Sequence, residues 1–600
     1  MDTIIPNVEV HTSTGTTPYV RFDDLRPHRR RSFELLDAEQ VLVAGDADDV
    51  PAVLEAAEAA VVAGKWVAGF VSYEAAPGLD PSLRVTPSEG TGFEDLPAAW
   101  FAVFSDRAPT GEPSPAPYSL GRWTASIDES DHHLAVDEIQ ELIRQGHTYQ
   151  VNFTFGMSSP LSGCARSLYL DLISAQACGY GAFLDAGRWQ IASASPELFF
   201  EWRRGEIVCR PMKGTASRGL TTTDDEGHRL ALLRSEKDRA ENVMIVDMVR
   251  NDVGRVAEIG SVDTPALFSA EKYDTLWQLT STVTARTRPE MSLPGVFRAL
   301  FPSASITGAP KVATMEIIRS LEKGPRGVYC GAIGFGGPDP QGRPEWAFNV
   351  AIRTIVVDRE NAIAHYGTGG GVTIDSTAGG EYREALLKAE VLARRTADFR
   401  LLETMRWNPE EGLWLLDRHL DRLLDSAWYF DVPVDRAGVE VILKQTIGPL
   451  EAPSILRLEV DRAGIATVGV KPLPKTHSSV RLELDDRAID RRDPFFFHKT
   501  TSRGVYNDAL ARHPGAEDVV LQNEAGEVSE TTIGNLAVLI DGEWRTPPVS
   551  SGCLPGTYRA ELLERGELVE RVVTIDELRA AESIARINSV RGWEEATLIE

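Results

Sequence analysis

Apolar and polar residues alternate or recur with helical spacing along the first part of the chain, which predicts short strands and amphipathic helices. Strand-like runs cover Val41–Val43 and Trp66–Tyr73, and a helical pattern covers Val50–Ala63 between them. A second helix is predicted over Asp128–Gln145. Gln150–Phe155 then alternates polar and apolar residues, as a half-buried strand does. This part of the chain is therefore expected to be a mixed α/β unit.

The middle of the chain continues this mixture of helices and strands. Residues Thr223–Arg250 predict one long helix, and Ile355–Val357 with Ala362–His365 predict a hairpin. Arg353 belongs to a strand-like run just before that hairpin.

Near residue 396 the sequence changes character and a second α/β unit is predicted. It contains an amphipathic helix over Leu416–Tyr429 and strands over Ile455–Val460 and Ile465–Val470. A hairpin is predicted from Val519–Gln522 to Val528–Thr531. We expect one domain over residues 1–395 and another over residues 396–600, because a chain of 600 residues is too long for a single core.

The overall composition favours a cytoplasmic protein that binds neither nucleic acid nor membranes. The formal net charge is −27, which opposes binding to polyanions. No apolar run approaches the roughly 20 residues of a membrane span, and the N-terminus has no secretory pattern. Five scattered cysteines argue against a disulfide framework or a zinc site. An anionic substrate would have to be attracted by local cations or by a metal ion.

A lysine and a glutamate stand where two strand-like runs end. Glu197 follows Ser195 and Pro196, and Lys213 lies between Met212 and Gly214. A lysine held near carboxyl groups and away from bulk water can act as a nucleophile, while a neighbouring carboxylic acid protonates a leaving group. The alternative is a loop lysine that faces water.

Two predicted helices carry carboxylates that suit a divalent cation. Glu241 lies on a helix face that otherwise carries methionines, and Glu381 and Glu384 share a stripe with Lys388. Hard oxygen ligands with room for water suit Mg²⁺. Exposed ion pairing, such as that of Glu384 with Lys388, is the alternative.

Two further segments, both expected to be loops, are suited to binding anions, and the second of them follows the predicted hairpin. One opens a predicted helix with free backbone N–H groups, and the other contains three consecutive glycines that allow close approach of a ligand. An arginine nearby could clamp a carboxylate with two hydrogen bonds. The candidate binding residues are Thr307, Lys311, Arg353, Tyr366, Gly369, Gly370, Gly371 and Lys388. Together with the acids they indicate a small polyanionic substrate held with a metal ion.

The second unit has its own candidate lysine. Lys499 follows three phenylalanines and a histidine, and a desolvated lysine can bind a cofactor covalently. Glu530 could face a pyridine nitrogen. The glycine-bearing loop Gly552–Thr557, with Arg422 as a cation, could bind a phosphate. Each of these features also has an ordinary structural explanation as a loop lysine, a strand-end glutamate or a turn.

Residues 120–395 resemble the chorismate-utilising enzymes, and residues 20–120 are similar to the N-terminal part of that domain. The resemblance rests on Tyr149–Asn152, Ser195–Glu197, Asp238–Asn242, Val246–Asp252, Thr307–Lys311, the three glycines and Glu381–Glu384. It implies a β-sandwich core with outer helices. It also implies that Lys213 attacks C2 of chorismate while Glu197 protonates the departing C4 hydroxyl, with Mg²⁺ held by Glu241, Glu384 and Glu381. The candidate binding residues would orient the two carboxylates of chorismate.

Three positions refine this resemblance within the family. Lys213 is similar to aminodeoxychorismate synthase component I, since anthranilate synthases usually carry alanine there. Gln150 stands where water-adding members carry lysine, which argues against hydroxyl addition. Gln278 occupies a position that is commonly histidine, and a weaker base there fits a domain that does not expel pyruvate.

Residues 401–600 resemble the fold-type IV pyridoxal phosphate enzymes, a group that includes aminotransferases and aminodeoxychorismate lyase. The matching segments are Arg418–Leu423, Lys499, Glu530–Leu536 and Asn588–Gly592. The resemblance implies that Lys499 holds the cofactor, that Arg422, Gly556 and Thr557 bind its phosphate, and that Glu530 pairs with its ring nitrogen. It also allows a homodimer formed through this domain.

The two resemblances together predict an enzyme that converts chorismate into 4-aminobenzoate and pyruvate for folate synthesis. Neither half has spare length for a glutaminase domain, so we expect ammonia to come from a separate glutamine amidotransferase subunit. An anthranilate synthase component fused to a class IV aminotransferase is the second hypothesis, and Lys213 counts against it. A catalytically inactive regulatory subunit is the third, and the intact lysines and carboxylates count against that one.

Overall fold

The computed structural model describes residues 17–26, 31–111, 116–176, 178–389, 392, 399–473 and 479–599. Backbone contacts divide the chain into two compact units, one of residues 1–217 and 229–396 and the other of residues 218–228 and 397–600. The boundary expected between residues 395 and 396 lies outside the described residues. Strands and helices are mixed in both units, so the predicted α/β class is confirmed.

The strands of the first unit form two large sheets. In chain order, strands β1–β21 are Tyr19–Asp24, Arg31–Leu35, Gln40–Ala44, Trp66–Val71, Ala99–Phe104, Ala108–Pro109, Tyr118–Leu120, Thr124–Ala125, Gln150–Gly163, Tyr180–Ala186, Trp189–Ser195, Leu198–Arg203, Glu206–Arg210, Met212–Ser217, Asp263–Lys272, Leu276–Arg286, Gly308–Ala309, Ala332–Pro338, Pro344–Val350, Thr354–Asp358 and Ile363–Val372. One sheet has 11 strands with the central order β17-β9-β21-β20-β11-β10-β1-β2-β6. The other has 10 strands with the central order β14-β16-β13-β12-β19-β18-β4-β5-β3.

The two sheets of the first unit share a buried apolar core. One cluster joins Val20 and Ile191 of the first sheet to Ala68 and Ile333 of the second. Every residue of β4 and β5 is buried, because helices cover the other face of the second sheet. The helices that begin in this part of the chain, α1–α9, are Val50–Val62, Ala76–Leu79, Glu129–Arg144, Ala165–Ser174, Thr222–Arg234, Glu236–Gly254, Leu293–Leu300, Lys311–Leu321 and Ala378–Ala389.

The long helix predicted over Thr223–Arg250 is wrong in one respect, since the structure has two helices there. Ser235 separates α5 from α6 with an extended backbone (ψ 112°). Its hydroxyl accepts a hydrogen bond from the Asp238 N–H at 3.2 Å, so Ser235 is the N-cap of α6. The break directs α6, with Glu241, along β14 and β16.

The prediction that Gln150–Phe155 is half-buried is also wrong. These six residues, the start of β9, are all buried. Asn152 lines a cavity, and the Thr154 hydroxyl donates to Glu322 at 2.9 Å. Asn152 and Thr154 on the polar face of the strand therefore meet a cavity and a buried hydrogen-bond partner, respectively, instead of solvent.

The second unit contains a small sheet and a larger one. Strands β22–β33 are Leu401–Asn408, Gly412–Leu413, Ser454–Val460, Ala466–Pro472, Val480–Ile489, Asp518–Asn523, Val528–Thr531, Asn535–Ile540, Glu543–Thr546, Val569–Glu570, Ser583–Asn588 and Gly592–Leu598. The sheet orders are β23-β22-β24-β25 and β28-β27-β26-β33-β32-β29-β30-β31. Helices α10–α14 are Leu416–Tyr429, Arg436–Ile447, Gly504–Arg512, Thr557–Glu564 and Ile575–Ala580.

No helix among the described residues is long and apolar enough to cross a membrane.

Candidate active sites

The first unit encloses a polar cavity of about 310 Å³ between β9, β14, β21, α6 and α9. Many of the predicted site residues line it: Glu197, Lys213, Glu241, Arg353, Tyr366, Gly369, Gly370, Gly371, Glu381, Glu384 and Lys388. Residues far apart in the sequence thus meet at one place. The cavity is large enough for a small organic acid.

Lys213 is the second residue of β14, and side chains of α6 and β16 bind the backbone around it. Asn242 of α6 donates from Nδ2 to the Lys213 carbonyl at 3.1 Å. Gln278 of β16 donates from Nε2 to the Gly214 carbonyl at 2.8 Å and accepts from the Thr215 hydroxyl at 3.2 Å. The lysine amine lies 3.5 Å from Glu241 Oε2. Two neutral amides therefore fix the strand while the amine remains beside a carboxylate.

Glu197 lies between β11 and β12 and is almost completely buried. Burial raises the pKa of Glu197 to about 8, with Ser305 acting weakly in the opposite direction. The side chain is therefore largely protonated at neutral pH. A protonated carboxyl in a cavity that also holds an amine can act as a general acid.

Three further carboxylates lie on the two helices of the cavity. The Lys388 amine is 2.9 Å from Glu384 and donates to the Gly369 carbonyl at 2.9 Å. This amine lowers the pKa of Glu384, whereas burial raises the pKa of Glu381. The surroundings of Glu381 and Glu384 thus shift the pKa values of these two carboxyl groups in opposite directions.

The carboxylates of α6 and α9 fit a hydrated Mg²⁺ ion better than a fully protein-coordinated one. Among the described residues, groups of three ligand atoms within 4.8 Å of one another occur at Asp485, Asp486 and His513, and not at the three glutamates of the cavity. Mg²⁺ commonly keeps several waters and takes one or two carboxylates, with the substrate completing its shell. Glu241 and Glu384 offer that donor set.

The glycine run is part of a strand, which corrects the expectation of a loop after a hairpin. Residues Gly369, Gly370 and Gly371 belong to β21 and pair with β9. A Cβ atom on Gly371 would lie 2.6 Å from Lys213 Nζ, and one on Gly370 would lie 3.0 Å from Glu381 Oε2. Glycine is needed at these two positions because the side chains of Lys213 and Glu381 occupy the space that a Cβ atom would take.

Arg353 is not in a strand as predicted but in the gap between β19 and β20. Its φ of 51° is left-handed, which is uncommon for a residue other than glycine and is concentrated at functional sites. Its Nη1 donates to Gln176 Oε1 at 2.6 Å. The unusual backbone and this hydrogen bond aim the guanidinium at the cavity it lines.

Two predicted binding residues, Lys311 and Thr307, are not among the lining residues of the cavity. The Lys311 amine is 3.0 Å from Asp252 and donates to the Leu300 carbonyl. The Thr307 hydroxyl donates to the Ser303 carbonyl at 3.0 Å. The Thr307 side chain thus stabilises the loop before α8, and the Lys311 side chain connects α8 to α6 and to the end of α7. The sequence pattern of a helix start marks structural contacts of these two side chains.

The sequence alone indicated no role for Asn152, Asn242 or Ser305, although the first two belong to segments that carry the family resemblance. In the structure Asn152 and Ser305 line the cavity, and Asn242 supports the backbone of Lys213. The sequence signal that could have indicated Asn242 is an uncharged amide directly after the charged start of α6.

The second unit contains a cavity of about 480 Å³, and Arg422, Lys499, Glu530, Gly556 and Thr557 all line it. Burial lowers the pKa of Lys499 to about 8 and raises the pKa of Glu530 to about 7. Both shifts favour the neutral forms. A buried amine with a reduced pKa is suited to covalent chemistry.

Hydrogen bonds hold the two ends of this cavity. Glu530 Oε1 accepts from the Tyr506 hydroxyl at 2.8 Å, and Oε2 accepts from Asn535 at 3.2 Å. At the other end, both oxygens of Glu403 accept hydrogen bonds from Arg422, at 2.8 and 2.6 Å. Burial opposes ionisation of this carboxyl, yet Arg422 and His419 hold the pKa of Glu403 at about 2.

These residues fit pyridoxal phosphate. Gly556 and Thr557 begin helix α13, whose free N–H groups favour a phosphate. A Cβ atom on Gly556 would lie 1.9 Å from Asn535 Oδ1, so the close approach requires glycine. An amine, an acid for a ring nitrogen and a phosphate-binding helix start thus line one cavity.

Two family models match the chain. The model described as chorismate binding enzyme matches residues 37–394, and the model described as amino-transferase class IV matches residues 400–599.

Similar proteins agree with the first match. The chain is 40% identical over 308 residues to an aminodeoxychorismate synthase of Streptomyces griseus, covering 49% of this chain and 41% of the relative. It is 37% identical over 278 residues to aminodeoxychorismate synthase component 1 of Bacillus subtilis strain 168, covering 46% of this chain and 58% of the relative. The chain thus spans about half the length of these relatives.

A solved structure supports the fold of the first unit. Anthranilate synthase component I of Streptococcus pneumoniae matches with a TM-score of 0.51 and 24% identity, covering 66% of this chain and 94% of that one.

Proposed function

Since the chain belongs to the chorismate binding enzyme family and its residues 400–599 match the amino-transferase class IV model, we propose that it is a bifunctional enzyme of 4-aminobenzoate synthesis. The first unit aminates chorismate to 4-amino-4-deoxychorismate. The second unit converts this product into 4-aminobenzoate and pyruvate. The product is a precursor for folate synthesis.

The observation that carries the first activity is that Lys213 and the protonated Glu197 line the same cavity. The lysine amine forms a bond to C2 of chorismate while the C4–O bond breaks. Glu197 donates its proton to the departing hydroxyl, so water leaves. This pairing of a nucleophile with an acid lowers the barrier to loss of a poor leaving group.

Ammonia completes the first reaction. It forms a bond to C4 while the bond between C2 and the lysine nitrogen breaks, which releases Lys213. A proton from the new ammonium group returns Glu197 to its acid form. Arg353 and Lys388 orient the carboxylates of the substrate.

Glu241 and Glu384, with Glu381, would hold Mg²⁺ in this cavity. The ion would neutralise and anchor a substrate carboxylate among three protein carboxylates that would otherwise repel it.

Lys499, Glu530, Arg422, Gly556 and Thr557 would hold pyridoxal phosphate in the second cavity. When bound, this cofactor supplies an electron sink. Lys499 takes the proton from C4 of the substrate, the C3–O bond breaks and enolpyruvate leaves as the ring becomes aromatic. The amine nitrogen stays on the product, so the reaction needs no amino acceptor.

We infer that a glutamine amidotransferase subunit supplies ammonia. The name "component 1" of the Bacillus subtilis relative supports a second component. A homodimer through the second unit is consistent with the class IV match.

The test is product analysis with the purified chain, chorismate, ammonium and Mg²⁺, with and without pyridoxal phosphate. We expect 4-aminobenzoate and pyruvate with the cofactor and aminodeoxychorismate without it. Lys213→Ala should abolish the first step and keep the second on supplied aminodeoxychorismate, and Lys499→Ala should do the reverse. Lys65→Ala and Lys444→Ala, at exposed lysines, are the matched controls.

Unchanged aminodeoxychorismate formation by Lys213→Ala would refute the nucleophile. Anthranilate as the product would identify the second hypothesis, an anthranilate synthase component fused to an aminotransferase. No turnover with ammonium would favour an inactive binding subunit.

A further inference from the structure

The second cavity is lined by many more basic than acidic side chains. Glu530 is the acidic residue among its described lining residues, and the basic ones are Arg422, Arg457, Lys471, Lys499, Arg503, Arg559 and Arg591. The whole chain has the opposite balance, with 62 basic and 89 acidic residues. A local reversal of this size indicates an anionic occupant.

Ion pairs with nearby acids balance only part of this charge. Arg422 is paired with Glu403, and Arg559 with Glu570. These two arginines therefore bring little uncompensated charge to the cavity.

Arg591, Lys471 and Arg457 keep unused hydrogen-bonding capacity. Arg591 Nε is buried without a hydrogen-bond partner in the described structure and lies 4.0 Å from Glu594. Lys471 has no ion pair within the described part of the chain. Arg457 also forms an ion pair, since its Nε donates to Glu459 at 2.7 Å, but this contact leaves the other guanidinium N–H groups available. An unpaired buried donor is costly unless a ligand satisfies it.

These three residues lie on elements other than those of the phosphate end. Arg457 is on β24 and Lys471 on β25, and Lys471 pairs with Ile455, so both side chains project from the same sheet face. Arg591 is in the loop between β32 and β33, where its N–H donates to Asn588 at 2.8 Å. Arg422 and Thr557, in contrast, are on α10 and α13. The basic residues of the cavity thus lie on two separate groups of elements.

We propose that Arg457, Lys471 and Arg591 form a subsite for two carboxylates, so that the second cavity selects a dianionic substrate over a monocarboxylate amino acid. This inference rests on the proposed function, in which aminodeoxychorismate carries a ring carboxylate and an enolpyruvyl carboxylate. Guanidinium groups bind carboxylates through two parallel hydrogen bonds, and a lysine adds a point charge. These residues position the substrate and take no part in proton transfer.

The test uses the full chain with bound pyridoxal phosphate and a probe that cannot react. The probe is 3-[(1-carboxyethenyl)oxy]benzoate, an aromatic dicarboxylate without an amine, and benzoate is the monocarboxylate for comparison. Binding is followed by the change in absorbance of the bound cofactor, which reports on the second cavity alone. The variants are Arg591→Gln, Arg457→Gln and the conservative Arg591→Lys. The control is Arg481→Gln, at an exposed side chain of β26.

We expect the parent protein to bind the dicarboxylate more tightly than benzoate. Arg591→Gln and Arg457→Gln should each raise the Kd of the dicarboxylate roughly 10- to 100-fold, leave the Kd of benzoate much less affected and leave the cofactor content unchanged. Arg591→Lys should recover part of the loss. With aminodeoxychorismate, the two glutamine variants should raise KM more than they lower kcat.

Equal affinity of the parent for both probes, or an unchanged Kd in both glutamine variants, would overturn the subsite. Failure of the parent to form 4-aminobenzoate, with the titrations as expected, would count against the proposed function and leave the subsite intact.

Discussion

Burial changes the chemistry of single residues in both cavities. Glu197 has its pKa raised to about 8 and Lys499 has its pKa lowered to about 8, in each case chiefly because desolvation penalises the charged form. Desolvation thus favours the protonated form of Glu197 and the deprotonated form of Lys499. An acid and an amine poised near neutrality are what the two proposed reactions need.

The pH dependence of the first reaction should follow Glu197. Because its pKa is raised to about 8, the acid form exists below that pH and is lost above it. We expect kcat for aminodeoxychorismate formation, measured at a fixed concentration of free ammonia, to fall as the pH rises through about 8. Glu197→Gln should lower kcat about 10²- to 10⁴-fold and remove this fall. Glu201→Gln, on the adjacent strand β12, is the control, and a parent-like pH profile in Glu197→Gln would contradict the assignment.

Gly371 should be intolerant of even one added methyl group. Its Cβ would lie 2.6 Å from Lys213 Nζ and 2.8 Å from Gln150 Nε2, so Gly371→Ala must displace the lysine. A displacement of about 1 Å can cost about 10²-fold in rate, and we expect a loss of that order in kcat/KM for the first reaction. The second reaction, assayed with supplied aminodeoxychorismate, should be unchanged. Gly254→Ala, where nothing lies within 4 Å of the added atom, should retain activity.

At the scale of elements, periodicity predicted strands and helices well where one face is buried. The helix Leu416–Tyr429 is confirmed to the residue, and the hairpin Val519–Gln522 with Val528–Thr531 is found within one residue at its ends. The errors occur where polar residues are buried or cap a helix. Ser235 divides a continuous helical pattern by capping α6, and Gln150–Phe155 alternates in polarity although both of its faces are covered.

The sequence predicted which residues lie at the candidate sites better than it predicted how those residues are arranged. Motif residues such as Lys213 and Glu381 line one cavity, as a shared function would require. Lys311 was predicted to bind substrate but pairs with Asp252. Its sequence context, directly after Pro310, would be the same in either case, so the sequence could not distinguish the two. Arg353 is a second such case, since no local pattern indicates that a residue other than glycine is left-handed.

Helix α6 and strand β16 together should control the position of β14. Asn242 donates to the carbonyls of Lys213 and Leu279 and accepts from the Ser281 hydroxyl at 2.5 Å. The bonds to Leu279 and Ser281 are buried, and the bond to Lys213 is partly buried. Asn242→Ala leaves these groups unsatisfied, and we expect a loss of about 1–3 kcal/mol in the free energy of unfolding together with a lower kcat for the first reaction.

Calorimetry and steady-state kinetics on the same preparations would measure both effects of Asn242→Ala. Asn251→Ala, at an exposed position of the same helix, should change stability by less than about 0.5 kcal/mol. Parent-like stability and kcat in Asn242→Ala would mean that the helix does not hold the strand.

At the scale of the whole molecule, the second unit is not continuous in sequence. Residues 218–228 belong to it although they follow β14 of the first unit directly. Within the second unit, the Tyr429 hydroxyl donates to the Gly219 carbonyl at 2.9 Å, and Arg218 donates to the Tyr429 carbonyl at 2.8 Å. Leu220 packs against the cluster that contains Phe496 and Phe497, three and two residues before Lys499. Part of the core of the second unit thus comes from residues 218–228, which lie between segments of the first unit in the sequence.

A fragment of residues 397–600 should therefore be less stable than the same unit in the full chain. It lacks the burial of Leu220 and the hydrogen bonds of Arg218 and Gly219, which together are worth roughly 2–5 kcal/mol. We expect a lower Tm for the fragment and weaker retention of pyridoxal phosphate, because the missing contacts lie beside the segment that carries Lys499. A synthetic peptide of residues 216–229 should raise the Tm, whereas the same peptide with Leu220→Ser should raise it less. If the fragment has the same Tm as this unit in the full chain, and neither peptide changes that Tm, residues 218–228 do not stabilise this core.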